Sequence, residues 1–288
     1  MVMCGAAAAC NRAGIDKPNS AIRAAQTEIF MQSSLRKLLN IAASQANRHS
    51  IESCIISCVS SPRGKFLTFE GLDGCGKSTQ LERLAGKLRE RGLAITVTRE
   101  PGGTPTGDKI RQLLLDTKTS ALSSKAELAL MFASRVQHIE EIILPALAAG
   151  HIVLCDRFTD SSEAYQGGGR KLGSELVLEL HRVLCGNLVP DLTILMDSEV
   201  GASVERARRR NQARTNADSL DENRFERESR AFFSRVRSGY LEIAKREPQR
   251  VTVVDARGTP DQTHAKILQI VDERFGLLGS AVKARNVS

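Results

Sequence analysis

Tryptophan is absent from this chain and tyrosine occurs only 2 times, so few flat side chains are available for stacking on successive bases of a nucleic-acid strand. That shortage weighs against a nucleic-acid partner, although the formal net charge is +8. Long apolar runs are also missing. None approaches the roughly 20 residues that cross a bilayer, so a soluble protein without a membrane partner is expected. The 7 cysteines are an odd number without metal-ligand spacing or a secretory signal, which fits a reducing compartment. Cys54 and Cys58 have no second pair nearby to complete a zinc site, and Cys75 and Cys155 read as small packing residues rather than nucleophiles.

The chain is 288 residues long and 41% hydrophobic, enough for one large or two small domains around a buried core. Residues 1–62 differ from the rest: rich in Ala, Ser, Asn and Arg, they hold only Asp16, Glu28 and Glu52 as acids against 6 basic residues. They read as an N-terminal extension: an organellar targeting segment, a flexible tail, or the product of a start upstream of the true one at Met31 or later. The compartment is accordingly cytoplasmic, or organellar if the extension is a targeting segment. Residues 63–278 form the expected domain, followed by a tail at 279–288.

From Lys65 onward, strand-like and helix-like runs alternate, the pattern of a mainly parallel sheet covered by helices. The strand candidates are Phe66–Phe69, Ala94–Thr98, Ile152–Cys155, Leu192–Met196 and Val251–Val254. Phe132, Val136, Ile139, Ile143 and Leu147 recur at helical spacing, as do Phe225, Phe232, Val236, Tyr240 and Ile243, so each set predicts one buried helix face, in the core or at a subunit interface.

Chemistry concentrates first in Gly71–Ser78, GLDGCGKS, which has the spacing G-x-x-x-x-G-K-[ST] between an apolar strand candidate and a helix carrying Leu81, Leu84, Ala85 and Leu88 on one face. Such a loop wraps backbone N–H groups and a helix N-terminus around phosphate. Gly71, Leu72, Asp73, Gly74, Cys75, Gly76, Lys77, Ser78 and Thr79 are therefore the nucleotide-phosphate residues, with Lys77 adding charge and Ser78 a hydroxyl for Mg2+. Asp156 and Arg157 follow the third strand, at the carboxyl edge where parallel sheets bind ligands. Asp156 suits the cation and Arg157 a forked contact to phosphate, unless the two form a structural ion pair. The glycine-rich Thr98–Thr104 forms a loop at the same edge. Asp160–Arg170, DSSEAYQGGGR, is either a polar loop or a surface that reads base and sugar, with Gln166 offering both a donor and an acceptor. Arg206, Arg208, Arg209, Arg210 and Arg214 form a basic cluster suited to phosphate or to solvent.

Taken together, FEGLDGCGKSTQ, TREPGGTPTGDKIR, SRVQH, CDRFTDSSEAYQGGGR and PDLTILMD, in this order across roughly 65–275, resemble the bacterial-type thymidylate kinases. The resemblance implies a three-layer P-loop kinase fold with a five-stranded parallel sheet and a mobile lid, here at about 206–222. It also implies transfer of the ATP γ-phosphoryl group to dTMP, and a homodimer built on the helix around Phe132–Leu147. It matches Asp73 to a carboxylate at the sugar 3′-hydroxyl, Arg111 and Arg157 to arginines on the acceptor phosphate, and Arg135 with Gln166, beside Ser162, to the thymine-reading pair. Tyr165 matches the tyrosine near C2′, Asp156 the metal-site acid, and Glu100 a second acid close to that site.

Two positions depart from the family. Gly74 stands where part of the family has arginine, so the missing charge is expected from the lid, with Arg210 and Arg214 as candidates. Met131 stands where an aromatic stacks on thymine, so either Met131 packs on the base or the neighbouring Phe132 serves. The acceptor phosphate is already an oxyanion, so catalysis needs alignment and charge compensation rather than a strong base. A kinase for another nucleoside monophosphate or a deoxynucleoside remains the nearest rival. A GTPase-like switch lacks its Asn-Lys-x-Asp motif here, and a nucleic-acid-binding ATPase is supported by charge alone.

Overall fold

A computed structural model describes residues 63–116, 122–215, 224–225 and 228–278, with side chains in the first lid helix described through Arg209. The expectations for 1–62, for 279–288, and for the side chains of Arg210 and Arg214 lie outside the described residues.

All five strand candidates form strands: β1 (Phe66–Glu70), β2 (Ile95–Arg99), β3 (Ile152–Asp156), β4 (Leu192–Asp197) and β5 (Val251–Asp255). They pair only in parallel, in the order β2-β3-β1-β4-β5. β1 is therefore central, and Gly71 leaves its carboxyl end between β3 and β4, the two strands that the chain joins when it crosses from one half of the sheet to the other. Each strand rises to the same carboxyl edge. Ligands in open α/β sheets bind there.

Between β1 and β2 lies α1 (Lys77–Arg89), and α2 (Pro105–Leu115) follows β2. α3 (Ser124–His138) continues through a wide π-turn at Ile139–Ile143 into α4 (Leu144–Ala148). After β3 come α5 (Thr159–Ser162), a π-helical stretch over Glu163–Gly169, and α6 (Ser174–Leu184). α7 (Val200–Thr215) and α8 (Arg230–Arg246) separate β4 from β5, and α9 (Pro260–Phe275) ends the fold.

Strand alternation feeds both faces of the sheet. Leu67, Phe69, Leu154, Ile194 and Met196 pack against Leu84 and Leu88 of α1 and Ile267 and Val271 of α9. Phe66, Val153 and Cys155 pack the other way, against Phe132, Ile143 and Leu147. α8 covers the rest of that face with Phe232, Val236, Tyr240 and Ile243 beside Leu195 and Val251. Burying each such side chain is worth about 1.5–3 kcal/mol, which makes these two layers the main source of stability.

Two helix expectations need correction. Phe225 is buried but precedes α8 in a turn rather than lying on its stripe. Asp160–Arg170 is not a loop: it is helical throughout Asp160–Gly169 and mostly buried. Its glycines admit α8 at close range, since a Cβ on Gly169 would lie 2.6 Å from the Phe232 ring.

Candidate active site

A cavity of about 690 Å³ opens over the carboxyl edge, lined on one wall by Asp73, Gly74, Gly76, Lys77, Ser78 and Thr79 and on the others by Thr98–Glu100, Gly103, Arg111, Asp156 and Arg157. One wall is the turn between β1 and α1. Leu72 and Cys75 of that turn point their side chains into the core, leaving their backbone to face a ligand. Lys77 is folded back, its Nζ donating to the carbonyls of Gly71 at 3.1 Å and Leu72 at 2.8 Å.

Gly74 meets α7. Its φ of +80° is left-handed, and a Cβ there would sit 2.3 Å from the Ser203 carbonyl oxygen. The arginine that part of the family carries is therefore excluded by the approach of α7. In its place Arg206 Nε of α7 donates to the Gly74 carbonyl at 2.8 Å. α7 and the phosphate loop thus meet without a side chain at 74.

Ser78 donates to Asp156 Oδ2 at 2.6 Å, and Asp156 Oδ1 is buried without a protein partner. A hydroxyl beside a carboxylate oxygen suits a hard divalent cation that takes its remaining ligands from phosphate and water. Among the described residues no group of three or more His, Cys, Asp or Glu side chains is placed to hold a metal ion, so a cation held here would be shared with a bound polyphosphate.

Arg157 is the hub. It is a non-glycine residue at φ 76°, a conformation that costs about 1–2 kcal/mol and persists only where neighbours enforce it. Its Nη2 pairs with Asp73 at 2.6 Å, and its Nη1 donates to the Gly71 carbonyl, Ser161 Oγ and Tyr240 OH at 3.0–3.1 Å. Tyr165 OH donates to the second Asp73 oxygen at 3.0 Å.

Glu70, fully buried at the end of β1, and Asp73, half-buried three residues further on, shift in opposite directions. Burial alone would raise Asp73, but Arg157 and Lys77 hold it well below the usual carboxylate range. Glu70 touches only neutral donors: Phe158 N–H at 2.7 Å, Ser161 Oγ at 2.5 Å and Tyr240 OH at 3.0 Å. Burial, followed by repulsion from Asp160, pushes Glu70 up to about 7. Burial likewise raises the Cys75 and Cys155 thiols, which keeps both protonated and inert as packing residues.

Arg135, on α3, donates through Nε to Glu100 at 2.7 Å and through Nη2 to Ser162 Oγ at 2.9 Å. Glu100 also accepts from His138 Nδ1 at 2.9 Å. Both Glu100 oxygens are thereby committed to buried partners, so Glu100 positions Arg135 instead of standing free beside the cation site. Gln166 donates through Nε2 to Glu127 at 2.9 Å. Arg135 Nη1 and Gln166 Oε1 are both buried without protein partners. Such orphaned atoms cost about 1–3 kcal/mol unless a ligand satisfies them, which makes Arg135 and Gln166 candidates for a ligand contact, although neither lines the cavity described above. Phe132 is fully buried, packed with the Phe66 and Val153 cluster, and its ring lies 4.8 Å from the Arg135 guanidinium. Met131 lies instead among Leu72, Tyr165 and Phe225. Arg111 lines the cavity and donates to the Pro101 carbonyl at 3.1 Å.

Glu70, Tyr240, Ser161 and Glu127 were not singled out from sequence as site residues. The only signal for Glu70 was a carboxylate inside an otherwise apolar strand end, and for Tyr240 a hydroxyl on a helix stripe.

The family model described as Thymidylate kinase matches residues 69–267. A thymidylate kinase of Citrifermentans bemidjiense is 47% identical over 218 residues, covering 76% of this chain and 96% of the relative. One from Geobacter sulfurreducens is 48% identical over 212 residues, covering 73% and 98%. The crystal structure of thymidylate kinase from Ehrlichia chaffeensis is 34% identical and superposes with a TM-score of 0.57, covering 73% of this chain and 99% of that one.

Proposed function

Because the chain belongs to the thymidylate kinase family and phosphorylates dTMP to dTDP with ATP as the family's donor, we propose that the two nucleotides meet phosphate to phosphate over β1, with Arg157 at the junction. The observation that carries this is the bridge from Arg157 to Asp73, which ties the end of β3 to the phosphate loop at 2.6 Å.

On the donor side, the backbone of Gly71–Thr79 wraps the ATP phosphates, and Lys77 swings from its carbonyl contacts onto them. Ser78 and Asp156 hold Mg2+, which when bound offsets charge on the transferring phosphoryl group. On the acceptor side, Arg111 and Arg157 grip the dTMP phosphate, while Asp73 accepts from the sugar 3′-hydroxyl. Tyr165 fills the space a ribose 2′-hydroxyl would need. Arg135 and Gln166 read thymine, Ser162 supports Arg135, and Met131 packs on the ring. The lid, with Arg210 and Arg214 as candidate arginines, closes to exclude water and favour transfer over hydrolysis.

Burial of the donor set in one turn leaves the protein little to do beyond alignment and charge compensation. A homodimer is part of the same reading. Since the Phe132–Leu147 stripe is spent on the core, an interface would use the opposite, exposed face of the α3–α4 rod, where Leu144 is exposed; light scattering after size exclusion tests it. A cytoplasmic location is supported by the free, buried Cys75, Cys155 and Cys185.

A coupled assay of ADP release with dTMP, dUMP, CMP and thymidine tests the whole. Turnover fastest with dTMP, dependent on Mg2+ and unaffected by DNA, is the expected result. Equal use of CMP, or Mg2+-independent turnover, would overturn the assigned site.

A further inference from the structure

A buried carboxylate in the acceptor half takes no part in phosphoryl transfer. Glu127 lies on α3 with Met131 and Arg135 following at four-residue spacing, so the three share one helix face. Its side chain is 1% exposed. Oε1 accepts from Gln166 Nε2 at 2.9 Å and Arg170 Nε at 3.2 Å. Oε2 accepts from Arg170 Nη2 at 3.1 Å and pairs with Arg224 Nη2 at 2.8 Å.

A carboxylate in two ion pairs has no hydrogen to give, so the side of Gln166 turned toward it must be the NH₂ group. The Gln166 carbonyl is thereby turned away from Glu127, and it is this Oε1 that is buried without a partner. With Arg135 Nη1 likewise unsatisfied, the acceptor site offers one acceptor and one donor. Thymine and uracil present the complement, a donating N3–H and an accepting O4. Cytosine presents the reverse, an accepting N3 and a donating 4-amino group.

We propose that Glu127 is a positioning residue that sets base specificity: by fixing the orientation of the Gln166 amide, it makes the site take keto pyrimidines and refuse amino pyrimidines. This rests on the reading of Arg135 and Gln166 as the base-contacting pair. Arg170 and Arg224 hold the carboxylate in place. They also decide what its loss does. The Oε2 position faces two guanidinium groups, Arg170 Nη2 and Arg224 Nη2, and the Oε1 position one, Arg170 Nε, so in Glu127→Gln the new NH₂ group takes the Oε1 position beside Gln166. Gln166 then turns its carbonyl toward that group and its own NH₂ toward the base.

The test compares dTMP with 5-methyl-dCMP, which share size and methyl group but carry opposite polarity at N3 and C4. For the unaltered enzyme, kcat/KM should favour dTMP by about ten-thousandfold, as expected of a site built around hydrogen bonds. Glu127→Gln should narrow that ratio at least about thirtyfold, mainly through KM for the nucleoside monophosphate, with KM for ATP unchanged. The double variant Glu127→Gln/Gln166→Glu restores an acceptor toward the base and keeps one carboxylate in the cluster, so at least about tenfold of the lost discrimination should return. A merely structural role would lower both acceptors together and leave the ratio intact. That outcome, in a variant with normal KM for ATP, would overturn the proposal. If Glu127→Gln does not fold, the double variant decides: retained preference for dTMP supports the proposal, and equal use of both acceptors overturns it. Absence of dTMP turnover by the unaltered enzyme would instead overturn the underlying reading of the site.

Discussion

The proposed donor side is one unbroken string, Gly71–Thr79, while the proposed acceptor side is assembled by side chains whose hydrogen bonds span 27 to 39 residues of sequence. On the donor side, ligand-facing groups are largely backbone N–H, placed by the local turn. On the acceptor side they are buried side-chain atoms, each aimed by a partner: Arg135 by Glu100 and Ser162, Gln166 by Glu127. Grip on phosphate needs only a properly shaped turn. Reading a base needs fixed polarity, and fixed polarity in a buried site needs dedicated partners. Arg157 joins the two sides, so the comparison is broken or sharpened most directly there.

Lys77→Ala and Arg157→Ala should each lower kcat about a thousandfold, near 4 kcal/mol of transition-state stabilisation. They should differ in binding. Loss of Lys77 leaves dTMP affinity close to normal, whereas loss of Arg157 weakens it and also strips Asp73 of its ion-pair partner. Steady-state kinetics with calorimetric titration of dTMP measures both. Near-normal turnover in either variant, or identical binding defects in the two, would collapse the division between donor and acceptor sides.

The seam between the sides also carries a pH signature. Glu70, raised to about 7 from 4.5, binds a proton in the folded protein across a range where the unfolded chain has released it. Its contribution to stability therefore falls as pH rises from about 4.5 to about 7, by roughly 3 kcal/mol, and is flat on either side. Asp73, depressed by Arg157 and Lys77, has the opposite sign: its contribution is present above the unfolded value of 3.8 and is lost as pH falls below it. Urea unfolding at a series of pH values should show Glu70→Gln flattening the slope in the upper window and leaving the acid limb untouched. Unchanged slopes in the upper window would show that burial does not hold the Glu70 proton.

The same division explains what could be read from the chain itself. Five strands, the phosphate loop and the placement of Asp156-Arg157 at a sheet edge follow from apolar runs and glycine spacing, which are local. The glycines of Asp160–Arg170 misled, because glycine marks a turn and a close helix contact alike, and only the approach of α8 tells them apart. Glu70 and Glu127 resemble any strand-end or helix acid until their partners, 39 to 170 residues away in sequence, are brought in, a separation no spacing rule covers. Helical spacing gave the Phe132 stripe a face but not its direction, and the structure turns it into the core.

The smallest expected effects come from two glycines, one in the phosphate loop and one in the helix that follows it, which differ in backbone conformation and in surroundings. Gly74 has φ +80° and no room for a Cβ, whereas Gly86, inside α1, has nothing within 4 Å of where a Cβ would go. Gly74→Ala should therefore cost about 2 kcal/mol, part from the left-handed backbone and part from pushing α7 off the loop. Gly86→Ala should stabilise by about 0.5–1 kcal/mol, since it only removes freedom from the unfolded chain and adds helix propensity. Because α7 docks on Gly74 through Arg206, the loss at 74 should also raise KM for ATP while leaving KM for dTMP nearly unchanged. A Gly74→Ala enzyme with normal stability and normal KM for ATP would show that the lid helix does not bear on the phosphate loop, and the exclusion of arginine at that position would lose its physical basis.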